Sequence, residues 1–488
     1  MKLNDLQNKS IVILGLGREG VSTLQFLRNR FPNKLLAIAD RLTLSELPKK
    51  IRDLITQDKY LIIHLGPAYL TDCQDYQVLI KSPGISPYTK DFQRVLEKDL
   101  LLTSQTELFL ENYPGKVVGV TGTKGKSTTA SLIYHLLLRA GFGVQLGGNI
   151  GLPPLELLAK KSDWVVLEMS SHQLWNLTKS PHIAVFLNIY PEHLDYSDFD
   201  EYLESKQNIA RFQTADDYFV FNANSQPLVD FASSLQSQKY TFGVRTEYPG
   251  SFVNNDQVCF NANPNLSFPR HAFRQAGKRE SIQMDPRVKP EDDKVFKEIL
   301  FPCSDIPLKG PANLNNVQAA VVVAKILSVA NELIAKGVQT FTPLPGRLET
   351  VGTHQGITFV DDCLSTIPEA TLNALHTFDG TVGAIFLGGH ERKQDYTQVI
   401  KEVIKQRIPL VILFPTTGTR IKSSLEKNGY GGKIITAVDM KDAVAAVYQL
   451  TPPNLVALFS AGAPSFGLFK DYQDRSQQFR HWVQKLGK

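Results

Sequence analysis

The chain has 488 residues, 42% hydrophobic and 21% charged, with a net charge of +5. That length holds two to four domains with cores of their own. The mild charge, with no basic block interleaved with aromatics, argues against a nucleic-acid binder and suits anionic ligands.

The four cysteines (Cys73, Cys259, Cys303, Cys363) form no CxxC pair, so neither a zinc site nor a disulfide framework is indicated and a reducing compartment fits. The opening residues MKLNDLQNKS lack the apolar core of a signal peptide, and no apolar run is long enough to span a bilayer, so a soluble cytoplasmic protein is expected. SIVILGLGREG, KLLAIAD, YLIIHLG and YQVLIKSPGIS then read as strands alternating with helical patterns, which implies a parallel sheet covered on both faces. A polar stretch at Asn112 to Gly115 precedes a second series, KVVGVTG, DWVVLEMSS, IAVFLNIYPEHLD and DYFVFNAN. A third series starts near Pro343 with GITFVDDC, TVGAIFLGG, PLVILF, KIITAV and NLVALFSAG. The expected fold is α/β in three domains: a Rossmann-like domain over 1–113, a phosphate-loop ATPase-like domain over 114–343 and a second Rossmann-like domain over 344–488. From about Pro264 to Lys294 the chain is polar, dense in charges of both signs and without periodicity. It reads as a solvated insertion with no catalytic role.

In VVGVTGTKGKSTTA, an apolar strand runs into a glycine turn and a helix. Gly122, Thr123, Lys124 and Gly125 can turn backbone N–H groups toward an anion, and the helix beginning near Lys126 adds the positive end of its dipole. Lys126 can reach the β and γ phosphates of ATP, and the Ser127 hydroxyl can ligate Mg²⁺, with Thr128 beside it. The first glycine is off the usual register, since Val120 stands where the standard loop has it. Further metal ligands come from neighbouring strand ends in such sites, where Glu168 (VVLEMSS) and His193 (NIYPEHLD) are placed. Asn313 and Asn316 open an apolar helix and by themselves read as capping residues.

GLGREG (Gly15, Gly17, Gly20) also follows a strand, and Asp40 ends the next strand twenty residues after Gly20. Alone this is a dinucleotide fingerprint. A dehydrogenase has no use for an ATP loop in the next domain, however, whereas a nucleotide-linked substrate anchored here explains both loops.

VTGTKGKSTT, GNIG, LEMSSHQL, NIYPEHLD, YLESKQNIA, NLNN, PGRLE and SAGAPSFGLFKDY occur in order over nearly the whole chain. Together they resemble the muramyl ligases of peptidoglycan synthesis, specifically those adding glutamate to UDP-N-acetylmuramoyl-L-alanine, which share the off-register glycine. The resemblance implies that Lys126, Ser127 and Thr128 hold ATP phosphates and that two Mg²⁺ ions are bound by Ser127, Glu168, His193 and a carbamylated Lys206. From the residues alone, Lys206 reads as an exposed helix lysine. It further implies adenine-side contacts from Asn313 and Asn316, although Ala312 replaces a usual histidine, and ATP contacts from Arg347 and Asp362. Gly15, Gly17, Gly20, Asp40, Arg41 and Ser82 would hold the uridine diphosphate end, and Asn149 the muramoyl arm. Lys126, His193 and Lys206 are the catalytic candidates. ATP would phosphorylate the L-alanyl carboxylate, and the glutamate amine would displace phosphate from the acyl phosphate.

Members adding D-glutamate read Asp-Ser-Lys-Ala-Thr-Asn after the third domain's first strand, whereas this chain has Cys363-Leu364-Ser365 in place of Ser-Lys-Ala. Arg392 stands where lysine is usual. These departures, with GREG, KSPGISPY and GAPSFG, resemble the branch that adds L-glutamate, which needs an epimerase acting on the UDP-muramoyl-dipeptide. D-glutamate is the alternative. Thr366, Arg392, Ser465 and Tyr472 are the amino-acid clamp candidates, Arg392 first because a guanidinium grips carboxylate with two parallel hydrogen bonds. A cytoplasmic monomer without nucleic-acid or membrane partners is expected, supporting cell shape and division through peptidoglycan. An acyl phosphate needs shelter from water, so a closing hinge is expected near Pro343 to Gly346. A folate polyglutamate ligase, a nucleotide switch that makes no bond and an NAD dehydrogenase are the rival readings.

Overall fold

Runs such as Ile11–Leu14 (IVIL), Ile183–Phe186 (IAVF) and Leu410–Phe414 (LVILF) carry apolar side chains on both faces. Only a strand covered on both sides suits them, and all three are buried throughout. A computed structural model describes residues 1–98, 100–190, 198–262 and 297–487. It divides into two compact units, Met1–Cys303 with Asn315–Val338 and Ser304–Leu314 with Gln339–Lys488. The expected insertion and His193 lie outside the described residues.

The first unit holds two sheets. One contains β1 (Ile11–Leu14), β2 (Leu36–Asp40), β3 (Leu61–Leu65), β4 (Val78–Lys81) and β5 (Leu101–Ser104), all parallel, in the order β3-β2-β1-β4-β5. The order reverses between β1 and β4, so the loops that follow them diverge and leave a crevice at the carboxyl ends. Gly20 lets the helix Arg18–Arg30 start tightly against that turn, because a Cβ there would meet the Gly15 carbonyl oxygen at 1.8 Å.

The second sheet contains β6 (Lys116–Thr121), β7 (Val144–Gly148), β8 (Trp164–Glu168), β9 (Ile183–Phe186), β10 (Tyr218–Asn222), β11 (Gln238–Gly243), β12 (Gly250–Asn254), β13 (Gln257–Asn261) and β14 (Lys297–Pro302). Its order is β14-β13-β12-β11-β10-β9-β6-β8-β7. From β7 to β12 the pairs are parallel, and β12, β13 and β14 pair antiparallel. Asn261 stands opposite Lys297, so the chain leaves and re-enters this edge at paired positions.

The second unit is built on β15 (Glu349–His354), β16 (Ile357–Asp361), β17 (Val382–Gly388), β18 (Leu410–Phe414), β19 (Lys433–Thr436) and β20 (Val456–Phe459), in the order β15-β16-β20-β17-β18-β19. Only β15 is antiparallel to its neighbour. The chain is therefore α/β with three parallel-rich sheets. No helix among the described residues is long and apolar enough to cross a membrane.

Candidate active site

The turn after β6 is held from the neighbouring strand. Asn188, just beyond β9, accepts from the Lys124 N–H through Oδ1 at 2.8 Å and donates to the Lys124 carbonyl through Nδ2 at 2.9 Å. Its own carbonyl accepts from the Thr123 N–H at 2.9 Å. Gly125 has φ +88°, and a Cβ there would meet Asn316 Oδ1 at 2.3 Å, so glycine meets both the turn and the close approach. Ser127 and Thr128 begin the helix Lys126–Arg139 and are buried, as is Asn316. Lys126 Nζ folds back to donate to the carbonyls of Gly122 and Thr123, each at 2.9 Å.

Lys206 Nζ reaches the same Gly122 carbonyl at 3.0 Å. The sequence alone makes Lys206 an exposed lysine, and the structure corrects this: it is 1% exposed. Tyr202, Ser205, Lys206 and Ile209 form the buried stripe of the helix Phe199–Arg211, so Lys206 falls on the face turned to the sheet. Its ammonium also lies 4.7 Å from the Tyr202 ring centroid.

Parallel pairing sets Glu168, the last residue of β8, beside Val120 just ahead of the turn. Glu168 is 1% exposed. Its Oε1 accepts from Asn149 Nδ2 at 3.0 Å, while Oε2 has no hydrogen-bond partner among the described residues. A buried carboxylate oxygen left without a partner is costly. An oxygen-seeking cation between Glu168 and the Ser127 hydroxyl would satisfy it, so the donor set fits Mg²⁺.

At the β1/β4 crevice lies a cavity of about 630 Å³ lined by Gly15, Gly17, Arg18, Glu19, Asp40, Arg41, Tyr69, Ser82 and Asn149 among others. Gly20 lies behind the turn rather than in the lining. Asp40 holds the turn itself: Oδ2 accepts from the Leu16 N–H at 2.6 Å and Oδ1 from the Leu42 N–H at 2.9 Å. Ser82 Oγ donates to the Gly15 carbonyl at 2.9 Å, tying the two crevice loops together. Arg18 donates to the carbonyls of Asn149 and Gly151. Asn149 thus borders the cavity and also touches Glu168.

In the second unit, Asp362 follows β16 and is buried. It accepts from the hydroxyls of Ser365 and Ser460 and from the Leu348 N–H. Burial pushes its carboxyl up to about 6, against those hydrogen bonds and the nearby Arg347 guanidinium. Cys363 is wholly buried, and Ser365 is engaged by Asp362, so neither side chain is turned to an incoming ligand. Thr366 and Arg392 are half-buried, Ser465 is buried and Tyr472 is exposed. The Arg392 side chain makes no hydrogen bond or ion pair among the described residues, while its neighbour Glu391 pairs with Arg420. Thr366 and Ser465 follow β16 and β20, adjacent strands, and Arg392 follows β17 on the other side of β20. Asn313 is the third residue of the helix Pro311–Ile326 and donates through Nδ2 to the Lys309 carbonyl at 2.8 Å, which is not the N-cap bond expected of it.

Sequence reasoning passed over Asn188 and Glu19. Asn188 sits inside the quoted NIYPEHLD, five residues ahead of His193, and Glu19 inside GLGREG, so only the roles were hidden.

A phosphate loop with a buried carboxylate at the next strand end, on a parallel-rich α/β frame, defines a nucleotide-using enzyme. Residues 120–324 match the Mur ligase middle domain and residues 346–462 the Mur ligase glutamate ligase domain. The chain is 31% identical to the UDP-N-acetylmuramoylalanine–D-glutamate ligase of Acidobacterium capsulatum, covering 98% of this chain and 97% of that one. It is 29% identical to the protein of the same name from Koribacter versatilis, covering 99% and 98%. The MurF ligase of Thermotoga maritima, solved in complex with ADP, shares the fold with a TM-score of 0.55 at 15% identity, covering 99% of both chains. The chain belongs to the Mur ligase family and is an ATP-dependent acid–amino-acid ligase.

Proposed function

We propose that the protein joins glutamate to UDP-N-acetylmuramoyl-L-alanine with ATP, a step in making the peptidoglycan precursor. The observation that carries this reading is Asn149, which borders the first-sheet cavity and donates to Glu168 beside the phosphate loop. One residue therefore spans the place for a nucleotide-linked substrate and the place where its far end would meet ATP. The cavity residues Gly15, Gly17, Asp40, Arg41 and Ser82 would take the uridine diphosphate end. The related proteins act, by their names, with D-glutamate, which favours that isomer. Two of the residues behind the L-glutamate expectation, Cys363 and Ser365, serve packing and Asp362. Arg392, Leu364 and the stretches GREG, KSPGISPY and GAPSFG are left for the L-isomer, and an epimerase would accompany only that reading.

The loop N–H groups and Lys126 would orient the ATP phosphates, with Asn313, Asn316, Arg347 and Asp362 holding the rest of the nucleotide. Mg²⁺, held by Ser127 and Glu168 and completed by His193 and a carbamylated Lys206, would neutralise charge on the transferred phosphoryl group. That group passes to the L-alanyl carboxylate and ADP leaves. The glutamate amine, held by Thr366, Arg392, Ser465 and Tyr472, then forms the amide, and phosphate departs. Residues 1–113, 114–343 and 344–488 are proposed as nucleotide-sugar, ATP and amino-acid segments of a cytoplasmic monomer. A hinge near Pro343 to Gly346 is proposed with them, close to Val338–Gln339, one of the places where the chain passes between the two compact units, the others being Cys303–Ser304 and Leu314–Asn315.

The test is phosphate release from ATP with UDP-N-acetylmuramoyl-L-alanine and each glutamate enantiomer. Turnover that needs both partners and runs faster with D-glutamate is expected. ATP consumption at one rate with or without them overturns the ligase reading, and faster turnover with L-glutamate overturns the isomer.

A further inference from the structure

Glu19 stands in the first turn of the helix Arg18–Arg30 and lines the first-sheet cavity. A carboxylate on that wall opposes the negative charge of any diphosphate bound there. Nor is it free to swing away, because it accepts from Gln173 Nε2 at 2.5 Å, and Gln173 is 2% exposed and locked in the capping box of Ser170. Lys81, at the end of β4, is 2% exposed with its ammonium 5.7 Å from the Trp175 ring centroid. Arg18 is spent on the carbonyls of Asn149 and Gly151. The remaining charged groups of the lining are Asp40, which ends β2, and Arg41, which follows it.

We infer that Glu19 takes up a proton when a nucleoside diphosphate enters the cavity, becoming a neutral wall residue able to donate a hydrogen bond to the ligand. The inference rests on reading the cavity as the nucleotide end of the substrate site. Burial already pushes the Glu19 carboxyl up to about 7, against the Gln173 hydrogen bond and the charges of Arg18 and Lys81. Burial likewise brings the Lys81 ammonium down to about 8, although Glu19 opposes that. Phosphate charge raises both groups further, so two sources of proton uptake have to be told apart.

Titration calorimetry of the full chain with UDP, at pH 7.5 in two buffers of different ionisation enthalpy, makes the distinction. The wild type should take up as much as about one proton per UDP, Lys81→Arg about three quarters, and Glu19→Gln about a quarter or less while still binding. Glu19→Gln keeps the acceptor for Gln173, and a thermal melt checks its fold. UDP binding without proton uptake in the wild type, or uptake lost in Lys81→Arg and kept in Glu19→Gln, overturns the inference alone. Wild-type protein that does not bind UDP removes the cavity reading and the inference with it.

Discussion

Lys126 and Lys206, from two different helices, donate to one acceptor, the Gly122 carbonyl, at 2.9 and 3.0 Å. Lys126 brings positive charge to the mouth of the phosphate loop, where a triphosphate is best compensated, and the shared carbonyl places Lys206 beside it for the proposed carbamate. Lys126→Ala should lower kcat by a hundredfold or more, on the order of 3 kcal/mol of barrier, with little change in melting temperature. Steady-state kinetics beside thermal denaturation checks this. A variant within fivefold of wild type would detach Lys126 from the chemistry.

Lys206→Met should also inactivate, and its burial makes a second readout available. With ¹³C-labelled bicarbonate the wild type should show a carbamate carbon signal that Lys206→Met lacks. The same signal in both proteins would remove the modification from Lys206.

Glu168 is the converse case, a buried carboxylate with one oxygen unpartnered among the described residues. Glu168→Gln removes an uncompensated charge, so melting temperature should hold or rise while kcat falls by at least a hundredfold and the Mg²⁺ requirement increases. Magnesium titrations of ATP turnover, paired with melts, read both sides. Lost stability together with an unchanged magnesium requirement would make Glu168 a structural residue instead.

Strands that carry unbroken apolar runs, such as β1, β9 and β18, were legible because only doubly covered parallel strands tolerate them. β11 (QKYTFG) and β15 (ETVGTH) were not, since their mixed composition matches loop as well as strand until a neighbouring sheet edge recruits them. At the site, Lys126 and Glu168 were legible from a glycine turn and a strand end. Lys206 was not, because the sequence shows a helix face but not which side meets a sheet. Ser365 was misleading for a related reason: its hydroxyl is committed to Asp362, which no spacing reveals.

Asn188 tests the loop itself. Asn188→Ala removes two hydrogen bonds to Lys124 and should cost about 1–2 kcal/mol of stability. Asn188→Asp faces the Lys124 carbonyl with a second acceptor and sets a negative charge beside the phosphates. The KM for ATP should rise at least tenfold in the aspartate variant and less in the alanine variant. Equal ATP kinetics in both would mean the loop keeps its shape without this clamp.

The pairing of Asn261 with Lys297 makes the charged segment dispensable to the sheet edge. Replacing residues 264–294 by a short glycine-serine turn should leave melting temperature within a few degrees and kcat within twofold. A large loss of turnover in a folded excision variant would assign that segment a function the sequence does not suggest.

Asp362 ties stability and activity to pH with opposite signs. Its folded value of about 6 lies above the ordinary 3.8, because burial penalises the charged form. The neutral carboxyl therefore favours the fold fully below about 3.8, and that contribution is lost as pH rises through about 6. A shift of that size corresponds to about 3 kcal/mol at most, which appears as falling stability between pH 4 and 6.5. In the proposed role, holding Arg347 against ATP calls for the ionised form, so kcat should climb through about 6 along the same interval. Asp362→Asn fixes the group as neutral, so the stability curve should flatten over that interval while kcat drops and its acid limb near 6 disappears. An acid limb that persists unchanged in Asp362→Asn would place the titrating group elsewhere.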